Sequence, residues 1–218
     1  MTLVLPRRVA IVGFIAWLLT AVVAARPVLA QRSALAKAGD AMELAAEARA
    51  AKKISQRYDP TFRKYSKRYF GPGFDWRYFK AQGFAESELK PNAKSWVGAR
   101  GVMQLMPSTY HDIASHRPEF GPIDQPEWNI AAGILYDRDL WQLWKTGVPD
   151  DERYHFMFAS YNAGEGTIGR ALAAATKVGP PVWASVEQVA PTVSRWRYLE
   201  TLGYVRRIDS TYAKLATP

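Results

Sequence analysis

Apolar residues recur at helical spacing along most of this chain, as Ile130, Ile134 and Trp141 do within residues 127–144. No pair of alternating segments flanks a hairpin dipeptide. Glycine and proline interrupt the pattern between segments, as at Gly71-Pro72-Gly73, so each segment is predicted to form a separate helix. The sequence therefore predicts an all-α fold.

The predicted helices are bounded by proline at their starts and by glycine or proline beyond their ends. They span 31–55, 60–70, 74–89, 127–144, 153–162, 166–177 and 191–215, and Pro107 opens one more. Residues 92–106 have little helical periodicity and contain two glycines, so we expect a structured loop there.

The N-terminus has the pattern of an export signal. Arg7 and Arg8 precede a mostly apolar run, Val9 to Ala25, and a small-residue site follows at Val28-x-Ala30. We expect either a signal peptide cut after Ala30 or an uncleaved inner-membrane anchor, because 17 residues lie at the lower limit of a membrane span. Both alternatives place the rest of the chain outside the cytoplasm, facing the periplasm or the cell wall.

Three regions are expected from these patterns. Residues 1–30 form the signal or anchor, 31–73 a helical spacer, and 74–215 the functional domain. The Ala-rich part of the spacer, residues 31–55, is predicted to be helical because alanine is the best helix former, although its apolar face is thin.

Composition excludes several kinds of chemistry. The chain has no cysteine, so disulfides, thiolate catalysis and Cys-based metal sites are ruled out. Its three histidines form no metal-ligand motif, and we expect no metal and no other cofactor. The net charge is +9, and it would be +6 without residues 1–30, whose three arginines are accompanied by no acid. Such a charge favours an anionic partner or simple solubility, and nucleic acid is not expected.

Glu86 is the candidate for proton chemistry. It lies near the end of an aromatic helix, on the face of Phe79 and Gly83, and a Gly-rich loop follows. A carboxyl group in such a place loses hydration, and its pKa rises, as a general acid for a glycosidic oxygen requires. The alternative from spacing alone is that Glu86 caps the helix or forms a salt bridge.

Four blocks of residues, in order and at suitable spacing between residues 74 and 212, resemble the signature of family 1 lytic transglycosylases, the soluble-lytic-transglycosylase (SLT) domain. The blocks are Glu86-Ser87 with Ser95 and Gly98-Ala99-x-Gly101-Val102-Met103-Gln104-x-Met106-Pro107; Asn129-x-x-x-Gly133-x-x-Tyr136; Ala159-Ser160-Tyr161-Asn162-Ala163-Gly164-x-Gly166; and Glu200-Thr201-x-x-Tyr204-Val205-x-Arg207-Ile208. Four collinear blocks favour the catalytic interpretation of Glu86. Ala85 and Val102 stand where the family more often has Gln and Leu, and neither change removes a group needed for the chemistry.

The resemblance implies a lysozyme-like helical fold with a groove that binds peptidoglycan glycan strands. It implies cleavage of the β-1,4 bond between N-acetylmuramic acid and N-acetylglucosamine, with a 1,6-anhydro end as product. Glu86 would be the acid and then the base. Five further side chains would bind substrate or shape the groove: Ser95, Gln104, Met106, Tyr161 and Asn162.

Each role has an alternative. Ser95, Gln104 and Asn162 could instead close loops by hydrogen bonds, and Tyr161 is expected to hydrogen-bond to Glu86 or steer it. A lysozyme-type hydrolase on the same fold, or a non-catalytic wall-binding scaffold, are the alternative functions. Glu88 lies about 200° around the helix from Glu86, so we expect it on the surface.

Overall fold

The computed structural model of the chain describes residues 56–217 and, before them, residues 37, 39, 41–43 and 45. Two compact units are separated at Ile54 and Ser55. The six described residues of the first unit are helical, as predicted for 31–55. The remainder of that predicted spacer helix, and the signal or anchor predicted at 1–30, lie outside the described residues. Among the residues described, no helix is long and apolar enough to cross a membrane.

Eight α-helices and one 3₁₀ turn make up the described part of the second unit. They are α1 (Asp59–Phe70), α2 (Arg77–Ser87), α3 (Pro107–Ser115), α4 (Pro126–Leu143), α5 (Arg153–Ala163), α6 (Glu165–Ala175), α7 (Trp183–Val189), the 3₁₀ turn (Ala190–Thr192) and α8 (Tyr198–Ala216). Pro60, Pro107 and Pro126 lie in the first turns of α1, α3 and α4, where the missing N–H leaves no helix carbonyl unpaired.

One predicted helix is divided in the structure. The segment predicted as 191–215 begins as a 3₁₀ turn, becomes extended at Val193 and helical again only at Tyr198. Arg195 adopts a left-handed conformation, with φ +56°, which breaks the helix without a glycine. The short helix α7 before it was not predicted from the sequence.

The core is built by helix pairs that bring α2, α4, α5 and α8 together. Helix α2 packs against α8, α4 packs against α5, and α5 also contacts α6 and α8. Phe79, Phe156, Phe158 and Ile134 are fully buried where these helices meet. Burying such side chains stabilises the fold by roughly 1.5–3 kcal/mol each.

Helix α1 lies in the compact unit, although residues 31–73 were predicted as a spacer. Phe62 and Tyr65 of this helix are buried, and α1 packs against α4 and α2. Lys80 of α2 is also buried, with its Nζ 2.6 Å from Oδ1 of Asp59. A helix with these contacts belongs to the core, and the compact unit begins at Ser55.

Candidate active site

Glu86 lies in the last turn of α2, where that helix packs against α8. Gly83, one turn earlier, lets α2 lie close to α1 and to the segment that follows α2, because a Cβ there would lie 2.9 Å from Leu89 Cδ2 and 3.2 Å from Phe62 Cζ. Tyr204 of α8 donates a hydrogen bond of 2.6 Å from its hydroxyl to Glu86 Oε1. The candidate acid is therefore held by a phenol from the opposite helix.

Burial raises the pKa of Glu86 to about 7, because removal from water disfavours the charged form. The hydrogen bond from Tyr204 and the positive charge of Arg207 act in the opposite direction and limit the rise in pKa. The carboxyl group of Glu86 is largely removed from water. The residue as a whole is only half-buried, and it lines an open cavity. A glutamate with this pKa can hold a proton near neutral pH and give it up during a reaction.

A cavity of about 560 Å³ opens beside Glu86. Its lining includes Gln104 from the loop and three basic side chains, Lys90, Lys94 and Arg207. Glu88 lines it too, but is exposed and lies 2.6 Å from Lys90 Nζ, which confirms its expected surface position. Three basic side chains beside this acid suit a ligand that carries negative charge.

The loop between α2 and α3 is held in one shape by its own hydrogen bonds. Isolated antiparallel bridges pair Arg100 with Lys94 and with Leu105. Gln104, at φ +45°, donates from Nε2 to the carbonyls of Gly101 and Ala93 at 2.8 and 3.2 Å. Gln104 therefore both closes the loop and lines the cavity.

Asn129 of α4 fastens this loop to the core. Its Oδ1 accepts a 2.8 Å hydrogen bond from the backbone N–H of Met103, and its Nδ2 donates to the carbonyls of Arg100 and Ile123. Gly101, at φ +77°, fits closely over it, because a Cβ there would lie 2.5 Å from the Asn129 amide carbon. These contacts explain why Asn129 and Gly101 belong to the recognised motif blocks.

The other predicted site residues do not all meet at Glu86. Ser95 Oγ accepts a 3.0 Å hydrogen bond from the backbone N–H of Ala99, a loop-closing role. Tyr161 donates to the carbonyl of Met103 at 2.8 Å, so the hydroxyl bound to Glu86 is that of Tyr204 rather than Tyr161. Met106 is 39% exposed at the start of α3.

Asn162 lies in a second cavity of about 250 Å³, together with Arg195, Arg197 and Glu200. This cavity is lined by the end of α5 and the start of α8, and Glu86 is not among its lining residues. The structure thus brings Glu86 and Gln104 to one cavity and places Asn162 in another.

Three polar side chains near Glu86 were not singled out from the sequence as site residues. Tyr204 was noted only as part of a motif block, and Gln82 and Asp137 were not noted at all. Gln82 and Asp137 are fully buried and joined by a 3.2 Å hydrogen bond. The spacing of Gln82, four residues before Glu86 on one helix, was the available signal.

One aromatic side chain stands out by its exposure. Trp96 is 93% exposed, whereas the six other tryptophans between residues 56 and 217 are buried or half-buried. It occupies a turn closed by a 3.0 Å hydrogen bond from the Gly98 N–H to the Ser95 carbonyl. The loop that carries Gln104 therefore also presents an indole to solvent.

Comparison with known proteins matches this fold and these motifs to one family. The model of the transglycosylase SLT domain matches residues 60–181, more than half of the chain. Among solved structures, the 70 kDa soluble lytic transglycosylase SLT70 of Escherichia coli superposes with a TM-score of 0.57 at 28% identity, covering 73% of this chain and 24% of that one. The chain belongs to the transglycosylase SLT domain family, and the predicted all-α fold is confirmed.

The chain is also similar to membrane-bound lytic murein transglycosylases. The membrane-bound lytic murein transglycosylase F of Serratia proteamaculans is 35% identical over 151 residues, which are 67% of this chain and 30% of that protein. Its counterpart in Shewanella pealeana is 30% identical over 160 residues, 72% of this chain and 31% of the relative. The chain thus spans about a third of the length of these relatives.

Proposed function

We propose that this protein is a peptidoglycan lytic transglycosylase. It cleaves the β-1,4 bond between N-acetylmuramic acid and N-acetylglucosamine and leaves a 1,6-anhydro-N-acetylmuramic acid end. The observation that carries the proposal is Glu86, a desolvated carboxyl group with a pKa of about 7, held by Tyr204 beside a 560 Å³ cavity. Family membership and the names of the relatives support the same activity.

In the proposed mechanism Glu86 acts twice. As an acid it protonates the glycosidic oxygen, and the bond from that oxygen to C1 of the muramic acid breaks. The substrate's own acetamido carbonyl stabilises the positive charge on the sugar. As a carboxylate, Glu86 then takes the proton of the C6 hydroxyl while the C6 oxygen bonds to C1. This step closes the anhydro ring and leaves Glu86 protonated again.

Tyr204 suits both halves of this cycle. A hydroxyl 2.6 Å from Glu86 Oε1 stabilises the carboxylate formed after the first proton transfer. It also fixes the orientation of the carboxyl group, so that the same oxygen serves donation and removal of the proton.

The carboxylates near Glu86 favour a transglycosylase over the alternative lysozyme-type hydrolase. An inverting hydrolase needs a second acid that activates a water molecule. Glu88 is exposed and paired with Lys90, and Asp137 is fully buried, so neither is placed to hold an attacking water.

Substrate contacts are proposed around this centre. Gln104 is placed to bind the sugar next to Glu86, and Met106 to provide an apolar wall. Tyr161 and Ser95 support the backbone of the loop between α2 and α3. Asn162 is proposed to bind substrate in the second cavity. Trp96 is our candidate for stacking against a sugar ring farther along the strand.

We also propose export, with action on the cell wall. The support is the pattern of residues 7–30 and the names of the relatives, which describe membrane-bound murein enzymes. Association of this chain with the inner membrane through its N-terminal segment belongs to the same proposal.

Digestion of peptidoglycan in water labelled with heavy oxygen distinguishes the reaction types. A transglycosylase places no label in the new muramic acid end, since the C6 hydroxyl is the nucleophile. A hydrolase incorporates one labelled oxygen per cut. Mass spectrometry of the products reads this directly, and labelled reducing ends as the main product would contradict the proposal.

A further inference from the structure

Gln82 and Asp137 form a buried polar pair behind the candidate acid. Gln82 lies on α2 one turn before Glu86, and Asp137 lies on α4. Both side chains are 0% exposed, and Gln82 Nε2 donates to Asp137 Oδ1 at 3.2 Å. A buried carboxyl group with one hydrogen bond from a neutral amide has little to stabilise a negative charge.

Two oxygen atoms of this pair have no partner. They are Asp137 Oδ2 and Gln82 Oε1, each inaccessible to solvent. When the carboxyl group is ionised, both atoms can only accept hydrogen bonds, so neither can satisfy the other. A proton on Asp137 Oδ2 supplies a donor, and Gln82 Oε1 is an unpaired acceptor in the same hydrogen-bonded pair.

We propose that Asp137 is a neutral carboxylic acid that donates from Oδ2 to Gln82 Oε1 while accepting from Gln82 Nε2 at Oδ1. This acid–amide pair, with two hydrogen bonds, links α2 to α4 one turn from Glu86 and keeps the second carboxyl group near Glu86 uncharged. Gln82 and Asp137 are thus positioning residues. Their effect on catalysis rests on the proposed function, whereas the protonation of Asp137 does not.

The charged and titratable groups around the pair are consistent with a neutral Asp137. The groups that interact electrostatically with Asp137 are Glu86 on α2, Tyr136 on α4, Tyr161 on α5 and Tyr204 on α8, and none of these is a cation. Arg207 of α8 acts on Glu86. From α1, which packs against α2 and α4, Asp59 is paired with Lys80 and Lys64 with Glu127. Burial, with the nearby Glu86, holds the pKa of Asp137 well above its ordinary value despite the hydrogen bond from Gln82.

Three variants test the pair by exchanging acid and amide. Asp137→Asn replaces the acid with an amide that makes the same two hydrogen bonds and cannot ionise. Gln82→Glu places two carboxyl groups face to face, and one of them must lose its proton as the pH rises. The double variant Gln82→Glu/Asp137→Asn restores one acid and one amide with their positions exchanged. Asp139→Asn is the control, because this acid is exposed on the same helix.

The readout is the pKa of Glu86, followed by NMR of isotope-labelled carboxyl carbons in the free protein, together with the melting temperature. We expect Asp137→Asn to leave both values as in the wild type. Gln82→Glu should raise the pKa of Glu86 by about one unit, through a like charge, and lower the melting temperature above neutral pH. The double variant should return both values towards those of the wild type.

Two outcomes would overturn the proposal. A fall in the pKa of Glu86 in Asp137→Asn, beyond that in Asp139→Asn, would mean that Asp137 is ionised in the wild type. A double variant no better than Gln82→Glu would mean that no acid–amide pair exists. If a variant does not fold, the wild type still decides, because the proposal requires the Asp137 carboxyl carbon to keep the chemical shift of a protonated acid between about pH 5 and 9. The chemical shift of a carboxylate in that range would overturn it.

These measurements need no substrate. If the wild-type protein fails to cleave peptidoglycan, the proposed function fails while the protonation of Asp137 remains separately measured.

Discussion

Tyr204 is the residue that most directly controls Glu86. Its hydroxyl lies 2.6 Å from Glu86 Oε1 and stabilises the carboxylate, which lowers a pKa that burial raises. Neighbouring helices α2 and α8 supply the two partners, so the pKa of Glu86 depends on how these helices pack.

Tyr204→Phe should move the pH dependence of cleavage upward. Without the phenol the carboxylate loses a charge-assisted hydrogen bond, and the pKa of Glu86 should rise by about 1–2 units above its value near 7. Because the protonated form begins the reaction, the decline in rate with pH should occur at higher pH, while the maximal rate falls through loss of orientation. A pH–rate profile identical to that of the wild type would show that Tyr204 has no such role.

Glu86 should also affect stability. Its folded pKa of about 7 lies above the ordinary 4.5, so its contribution is fully present below about pH 4.5 and lost as the pH rises to about 7. Glu86→Gln has no such loss. Relative to the wild type it should therefore gain on the order of 3 kcal/mol in free energy of unfolding across that interval. Urea unfolding at several pH values measures this, and a difference independent of pH would show that the pKa of Glu86 is not raised.

The sequence predicts Glu86 but not its surroundings, for a physical reason. A glutamate at the end of an aromatic helix, before a Gly-rich loop, is a local pattern. The hydrogen bond from Tyr204 joins residues 118 positions apart, and that between Gln82 and Asp137 joins residues 55 apart. Such pairs depend on how α2 crosses α8 and α4, which local spacing does not determine.

At the scale of elements, the loop between α2 and α3 is held as much by α4 as by itself. Asn129 makes three hydrogen bonds to the loop and the segment before α4, and it is 0% exposed. The loop presents Gln104 to the cavity, so its attachment to α4 positions a proposed substrate contact.

Asn129→Ala should destabilise the protein by about 2–4 kcal/mol, because it removes the partners of the Met103 N–H and the Ile123 carbonyl and one of the two hydrogen bonds to the Arg100 carbonyl. Asn92→Ala, in an exposed part of the same loop, is the matched control and should change stability by less than about 0.5 kcal/mol. Chemical unfolding gives both values. Equal effects of the two substitutions would contradict the anchoring role of Asn129.

Helix boundaries were predictable where proline and glycine mark them, as at Pro107 and at Gly71-Pro72-Gly73. The break before α8 was not, since the left-handed residue there is Arg195 rather than glycine. Arginine gives no local signal for that conformation, and tertiary packing imposes it.

At the scale of the molecule, α1 decides where the compact unit begins. Residues 31–73 were predicted as a spacer. In the structure Phe62 and Tyr65 are buried and α1 packs against α4 and α2, where Asp59 pairs with the buried Lys80. The helices against which the apolar face of α1 packs are determined by the whole fold, not by the local sequence.

Removal of α1 should therefore abolish cooperative folding. A fragment of residues 56–218 should unfold in one thermal transition. A fragment of residues 74–218 should lack that transition, because Lys80 loses its partner and the surfaces of α4 and α2 that α1 covers are exposed. Circular dichroism in the near and far ultraviolet follows this. A shorter fragment that melts cooperatively within a few degrees of the longer one would show that α1 is dispensable.

The central claim is that Glu86 catalyses non-hydrolytic cleavage of peptidoglycan. Digestion of purified sacculi by the wild type, by Glu86→Gln and by a surface control, Glu119→Gln, tests it most directly, with the released muropeptides identified by mass spectrometry. Wild type and control should release fragments with 1,6-anhydro-N-acetylmuramic acid ends, and folded Glu86→Gln should release almost none. Reducing ends as the main product, or equal release by Glu86→Gln, would contradict the account.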